Sequence, residues 1–337
     1  MSMKINDQLS RPLRDLRISI MDQCNFRCTY CMPKEVFGKD YVFMKEEELL
    51  SFTEIVRTAK QFAQLGVNKL RITGGEPLLR KNASLLIREL HDIPGIDDIA
   101  LTTNGVLLPK FAKDLKKAGL KRVNVSLDAL DTAVFQEMSG RQTKAEIVLR
   151  GIDAALEAGL GVKVNMVVKR GLNEHEVIPM ARYCKERGVM LRFIEFMDVG
   201  QTNGWDYSKV VSKKELYDAV SEIGSLQPVD PYYFGEVASR YRYEDSDVQV
   251  GFISSVTETF CGTCTRARLS ADGKIFTCLF SEDGIDLKQD LRVGKTDEFL
   301  FTKIKEVWEQ RSDRYSELRT AETSKNRKKI EMSYIGG

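Results

Sequence analysis

The sequence predicts an α/β protein: an incomplete (βα)6 TIM-like barrel followed by a smaller C-terminal domain. Three observations carry this. Six short strand-like runs alternate with helical patterns through the first two-thirds of the chain, the serial order of a parallel sheet with right-handed crossovers. The runs alternate polar and apolar, unlike parallel strands covered on both faces. The 337 residues also exceed the roughly 250–300 at which a single core stops growing, so one large unit with an appendage is expected.

The strands are expected at 15–21 (DLRISIM), 69–73 (KLRIT), 98–103 (DIALTT), 122–127 (RVNVSL), 162–168 (VKVNMVV) and 191–196 (LRFIEF). Helices are expected near 45–65, 81–91, 109–118, 131–139, 144–158 and 174–187. Side chains alternate faces along a strand. One face therefore carries Leu16, Ile18, Leu70, Ile72, Val123, Val125, Val162 and Val164. The other carries Arg17, Ser19, Lys69, Arg71, Thr73, Thr102, Asn124, Ser126, Asp128, Lys163, Asn165 and Arg192. An apolar face under helices and a polar, partly cationic one describe a barrel with a wet lumen, and six units fall short of the eight of a full barrel. Buried cations need partners, so a polyanionic ligand is expected; cations at the barrel rims, reaching solvent, are the alternative. From "VDPYYFGEVASRYRYED" onward the chain turns aromatic and turn-rich. The barrel is accordingly assigned to 1–230 and the C-terminal domain to 231–337, with a charged helical stretch near 297–311.

A net charge of +2 offers no excess for nucleic acid or an anionic membrane. No apolar run approaches the roughly 18 residues of a membrane span, and "MSMKINDQLSRPLRDLR" is polar and lacks an apolar signal core. A cytoplasmic protein is expected, in which clustered cysteines point to metal or chemistry rather than disulfides. The seven cysteines fall as Cys24, Cys28 and Cys31, a lone Cys184, then Cys261, Cys264 and Cys278.

The first triple, in "CNFRCTYC", follows the first strand, and loops after strands build the active sites of parallel α/β barrels. Three thiolates can hold three irons of a four-iron cluster and leave the fourth open. Iron–sulfur clusters usually take four thiolates, and a missing ligand marks a reactive site, as in catalytic zinc. A zinc site completed by a distant residue, or plain buried thiols, are the other readings of this spacing. "TGGEP" (73–77) directly follows the second strand. Its paired glycines let backbone approach a ligand closely, with Gly75 free to adopt dihedrals closed to other residues and Glu76 a carboxylate nearby. The chain has neither of the common glycine-rich phosphate loops, so the residues alone give only a polyanion, for which the planar, permanently charged fork of Arg is suited. His91 and His175 read as surface residues on helices, and Cys184 as a buried apolar filler.

With "CNFRCTYC", "TGGEP" and six strand–helix units, residues 10–225 resemble the radical S-adenosylmethionine superfamily. The resemblance implies that the open iron is chelated by S-adenosylmethionine, that one electron cleaves the sulfonium, and that the 5′-deoxyadenosyl radical abstracts a hydrogen atom. Cys261-x2-Cys264-x13-Cys278, "CTRARL" (264–269), the early "RPLRDLRISI" and the closing "YIGG" further resemble the molybdenum cofactor biosynthesis protein A family, the GTP 3′,8-cyclases. This implies a second 4Fe-4S cluster, in the C-terminal domain, whose open iron contacts the guanine of GTP. It also implies that the radical takes hydrogen from C3′, that the C3′ radical attacks C8, and that reduction, with the second cluster as electron source, then yields (8S)-3′,8-cyclo-7,8-dihydroguanosine 5′-triphosphate, in the first step of molybdenum cofactor biosynthesis. Carried over by position, Cys24, Cys28, Cys31, Cys261, Cys264 and Cys278 would hold the two clusters. Tyr30, Gly75, Ser126 and Met197 would contact S-adenosylmethionine; Arg17, Arg71, Thr102, Lys163, Arg266 and Arg268 would contact GTP. No side chain is an obvious general acid or base. In the family the tail, here Gly336 and Gly337, reaches the active site and is needed for activity. The resemblance further implies an external electron donor, a homodimer, and a product passed to cyclic pyranopterin monophosphate synthase. A peptide-modifying radical maturase with an auxiliary cluster is the competing enzymatic reading, and a zinc-stabilised nucleic-acid-binding protein the non-enzymatic one.

Overall fold

The structure is a computed structural model that describes residues 3–336. Six strand–helix units run in chain order: β1 (Asp15–Ser19), α1 (Phe52–Gln64), β2 (Lys69–Thr73), α2 (Ala83–His91), β3 (Asp98–Thr103), α3 (Leu108–Lys117), β4 (Arg122–Ser126), α4 (Thr132–Ser139), α5 (Glu146–Glu157), β5 (Gly161–Val168), α6 (Val177–Glu186) and β6 (Met190–Glu195). Each strand lies where the alternation places it, within a residue or two. The helix expected from residue 45 begins instead at Phe52. Ser51 caps it there, accepting from Glu54 N at 3.2 Å while Glu54 Oε2 takes Ser51 N at 2.6 Å, a reciprocal capping box that fixes a helix start.

The six strands are parallel, and each registers with the next. Leu16, Ile18, Leu70, Ile72, Val123, Val125 and Val164 have no solvent exposure beneath the helices, each side chain contributing about 1.5–3 kcal/mol by leaving water. The opposite faces look inward. Arg17 pairs in register with Arg71 on one side and Arg268 on the other.

The C-terminal third extends the same sheet at both edges. After α7 (Lys213–Ser221) come β7 (Leu226–Val229), β8 (Ser239–Tyr243) and β9 (Gln249–Ile253), then β10 (Arg266–Leu269), β11 (Lys274–Phe276) and β12 (Ile285–Asp286). β9 lies parallel to β6, and β10 parallel to β1. The strand order is β12-β11-β10-β1-β2-β3-β4-β5-β6-β9-β8-β7. Residue 230 falls in the turn between β7 and β8, which pair antiparallel.

The chain then forms α8 (Lys288–Arg292) and α9 (Asp297–Glu309), the latter packed on α1. Its Trp308 is buried and donates to Arg11 O at 3.2 Å. Short helices α10 (Tyr315–Leu318), α11 (Ala321–Asn326) and α12 (Met332–Ile335) lead back to β1. Gly337 lies outside the described residues. No helix among them is long and apolar enough to cross a membrane.

Candidate active site

The loop carrying Cys24, Cys28 and Cys31 leaves β1 and is braced by the loop leaving β2. Gly75 N donates to Met21 O and Glu76 N to Gln23 O, both at 2.8 Å. A Cβ on Gly75 would sit 2.2 Å from Gln23 O, and one on Gly74 2.5 Å from Met21 O. Close approach therefore demands both glycines. The dihedral closed to other residues, for which Gly75 was the candidate, is found at Gly74, φ +147°. Glu76 is buried and accepts from Asn104 N at 2.8 Å, Thr103 Oγ1 at 2.9 Å and Leu78 N at 3.0 Å. Burial pushes its carboxyl up to about 7 against these three hydrogen bonds. Glu76 thus ties the β2 loop to the end of β3. Tyr30, between Cys28 and Cys31, is tied across to the end of β4: its hydroxyl donates to Asp128 Oδ2 at 2.8 Å, and Asp128 Oδ1 accepts from Val167 N at 2.9 Å.

The second triple is assembled from two loops. Cys261 and Cys264 flank a short turn before β10, and Cys278 follows β11. Two distant arginines hold the turn: Arg11 Nη1 donates to Cys261 O at 2.8 Å and Arg311 Nη1 to Cys264 O at 2.7 Å. Arg266 Nη2 donates to Cys264 Sγ at 3.1 Å.

Both triples line one chamber, which encloses about 1870 Å³ of atom-free space including the part open to solvent. Arg17, Arg71, Thr102, Arg266 and Arg268 line the same chamber, as do Tyr30, Gly75, Ser126 and Met197. Lys163 does not. It lies on the lumen face paired with Asn124, one alternation step before the chamber-lining pair Ser126 and Asn165. Strand alternation gives the face, but only register gives the depth. Gly336 sits beside Thr73, and its carbonyl accepts from Arg268.

The chamber is charged beyond what its own residues balance. Burial and then Arg268, Arg71 and Arg266 push the Arg17 guanidinium down from its ordinary value. Burial and then Arg266 bring Arg268 down to about 9, and burial and then Arg71 do the same for Arg192. Burial, with Arg192 next, lowers Lys163 to about 7. Thr102 Oγ1 is buried with no hydrogen-bond partner among the described residues. A crowd of cations with an orphaned hydroxyl fits an anionic ligand, since each buried cation needs a partner.

The cysteines are free thiols. Burial, then Glu76, pushes Cys24 up to about 11; burial, then Asp128, pushes Cys28 well up, and burial, then Cys24, does so for Cys31. Cys278 rises to about 11, through burial and then Asp313. Burial also raises Cys264, but Arg266 and Arg311 outweigh it and bring it down to about 6. Thiols that crowd together and resist ionising alone suit bound cations, which deprotonate a ligating thiol outright. Among the described residues no three His, Cys, Asp or Glu side chains close round a single-ion position. A four-iron cube is held by cysteine thiolates, so the donor type at each chamber-lining triple fits a cluster.

Sequence reasoning counted Arg192 among the cations facing a polyanion but did not single out Arg11, Arg311 and Asp128 as site residues. Arg192 and Asp128 were visible on the lumen face. Arg11 and Arg311 reach the second triple from far along the chain, and no local pattern marks them. Cys184 is buried in the core, as expected.

Comparison with known proteins matches residues 18–184 to the Radical SAM superfamily and residues 189–317 to Molybdenum Cofactor Synthesis C. Among curated proteins, the GTP 3′,8-cyclase of Staphylococcus aureus (strain Mu50 / ATCC 700699) is 55% identical over 99% of this chain and 99% of its own. That of Staphylococcus haemolyticus (strain JCSC1435) shows the same identity and coverage. Among solved structures, Streptococcus suis SuiB bound to S-adenosylmethionine shares the fold at a TM-score of 0.60 and 16% identity, covering 88% of this chain and 68% of that one. Methylornithine synthase (PylB) follows at a TM-score of 0.51 and 16% identity, covering 63% and 62%.

A partial parallel barrel with a three-cysteine loop after β1 and a Gly-Gly-Glu brace after β2 defines a radical S-adenosylmethionine enzyme. With 55% identity over almost its whole length, the chain belongs to the GTP 3′,8-cyclase family.

Proposed function

We infer that the chain converts GTP to (8S)-3′,8-cyclo-7,8-dihydroguanosine 5′-triphosphate, the first step of molybdenum cofactor biosynthesis. The observation that carries this reading is the facing of two cysteine triples across one arginine-lined chamber. Cys24, Cys28 and Cys31 would hold the first 4Fe-4S cluster, and Cys261, Cys264 and Cys278 the second. When bound, the first cluster and S-adenosylmethionine would supply a 5′-deoxyadenosyl radical to take hydrogen from C3′; C3′ would then bond C8, with one electron and one proton completing the 7,8-dihydro product.

The protein's part is positional. Tyr30, Gly75, Ser126 and Met197 would hold S-adenosylmethionine at the ends of the strands. Arg17, Arg71, Thr102, Arg266 and Arg268 would hold the nucleotide between the clusters, with Lys163 deeper in the lumen acting on it by charge. The arginine forks suit phosphate oxygens. Low local dielectric strengthens each of these contacts, and a closed chamber keeps a reactive intermediate from water.

The barrel would comprise residues 1–230 and the cluster-binding C-terminal domain 231–337. The same reading includes a cytoplasmic enzyme, a homodimer, an external electron donor, and a product handed to cyclic pyranopterin monophosphate synthase.

The test uses anaerobically reconstituted protein with dithionite and S-adenosylmethionine, with and without GTP deuterated at C3′. GTP-stimulated 5′-deoxyadenosine carrying that deuterium is expected. Cleavage indifferent to GTP would overturn the substrate and favour a peptide-modifying enzyme.

A further inference from the structure

Asp198 is completely buried one residue beyond Met197, on the loop leaving β6. Its Oδ2 accepts from the Tyr315 hydroxyl, and its Oδ1 lies 2.9 Å from Arg319 Nε. Both partners come from the C-terminal segment after α9. The Arg319 and Asp198 side chains are 1% and 0% exposed. Nε and Oδ1 are close without completing a directed hydrogen bond among the described residues, so the contact is an ion pair.

Arg319 makes further contacts. Its Nη1 donates to Ser255 O at 3.1 Å on the loop leaving β9, and its Nη2 to Ser316 Oγ at 3.4 Å. The guanidinium lies 5.1 Å from the Phe280 ring centre and 5.8 Å from that of Trp205. Phe280 is two residues past Cys278, and its N–H points at Cys278 Sγ at 3.5 Å. Trp205 Nε1 donates to Phe196 O at 2.8 Å, immediately before Met197. Met197, Ser255, Phe280 and Ser316 all line the chamber. One guanidinium therefore joins the wall beside the first cysteine triple to the wall beside the second.

Stability alone does not explain this. A buried ion pair gains little over apolar residues of the same volume, because desolvation offsets the attraction. What a multiply bonded buried charge does supply is a fixed geometry.

We propose that Asp198 and Arg319 form a positioning pair that holds Met197 against Phe280 and Ser255, so that the radical is released only where C3′ of the nucleotide lies within reach. The proposal rests on the GTP-cyclase reading. With the cluster and S-adenosylmethionine bound, one electron from the cluster would cleave the sulfonium to methionine and the 5′-deoxyadenosyl radical. In register, that radical takes hydrogen from C3′; out of register, it takes hydrogen from a C–H bond of protein or buffer. The second route gives 5′-deoxyadenosine without cyclised nucleotide.

The experiment compares wild type with Arg319→Lys, which keeps the charge and loses the planar fork, and with Tyr315→Phe, which removes one hydrogen bond from Asp198. Two quantities are read. In iron-free protein, hydrogen exchange should quicken together in 196–203, 253–258 and 278–281 while β1 to β6 keep their protection. In reconstituted protein, the ratio of 5′-deoxyadenosine to cyclised product should rise about tenfold for Arg319→Lys, below the ~10²-fold that a 1 Å misplacement can cost, and less for Tyr315→Phe. The ratio is independent of the fraction of enzyme that folds, so a merely structural role would leave it unchanged. An unchanged ratio overturns the pairing role whether or not the loops loosen. A wild type that makes no cyclised nucleotide overturns the function, not the pair.

Discussion

The backbone carbonyl of Gly336 accepts a hydrogen bond from the Arg268 guanidinium, so the last described residue of the chain is tied to a cation of the chamber. Gly336 has φ +72°, and a Cβ there would meet Thr73 Cγ2 at 2.1 Å. Gly336→Ala should displace the tail and lower turnover on the order of 10- to 100-fold, the scale of a small misplacement at a reacting centre, with iron content unchanged. Turnover per iron measures this; unaltered turnover would remove the tail from the mechanism.

Gly75→Ala should act on stability. Its Cβ would fall 2.2 Å from the Gln23 carbonyl, forcing the β1 and β2 loops apart at a cost of about 1–3 kcal/mol, as for overpacking in a filled interior. The urea midpoint of iron-free protein should drop with the slope unchanged, and reconstituted variant should retain the first cluster poorly.

Lys163 sets a proton balance. Burial, with Arg192 and Arg122 nearby, brings it down to about 7, so it is mostly neutral at pH 8. A bound polyphosphate favours the charged form. GTP binding at pH 8 should therefore take up close to one proton, and at pH 6, where Lys163 is already charged, almost none. Calorimetry in buffers of differing ionisation heat measures the uptake, and Lys163→Met should abolish it. Without ligand, the unfolded chain holds this proton between pH 7 and about 10.4 while the fold has released it. This group's contribution to stability consequently rises with pH through that window.

Iron removal should divide the seven cysteines. Six line the chamber, whereas Cys184 is buried in the core. In iron-free native protein, iodoacetamide should modify up to six sites, Cys264 fastest near neutral pH because Arg266 and Arg311 favour its thiolate. Cys184 should react only on unfolding. Peptide mass spectrometry would show early loss of Cys184 if this assignment is wrong.

The barrel was legible because its lumen is wet: a polar inner face forces the alternation that parallel strands usually lack, and Arg17, Arg71 and Ser126 announce themselves on it. What stayed hidden is what pairing and distance decide. Alternation placed Lys163 on the right face but could not show that it stops one step short of the chamber. Nothing local marks Arg11 or Arg311, since Arg11 meets Cys261 at a separation of 250 and Arg311 meets Cys264 at a separation of 47. The strands of the aromatic, turn-rich tail lack the strand–helix rhythm, so their return to both sheet edges, as β9 beside β6 and β10 beside β1, was not readable.

That arrangement also imposes a schedule on synthesis. The residues that seal both edges of the six-stranded sheet are translated after the strands they cover. A nascent chain through α6 and β6 therefore already holds Cys24, Cys28 and Cys31, while its sheet is open on two sides, edges that natural proteins keep protected. Neither the second cysteine triple nor the tail carbonyl on Arg268 exists yet. The first three thiols are thus available for loading well before there is a closed chamber to contain what a loaded centre produces. The means to confine a radical is therefore completed later than the loop that would carry its source.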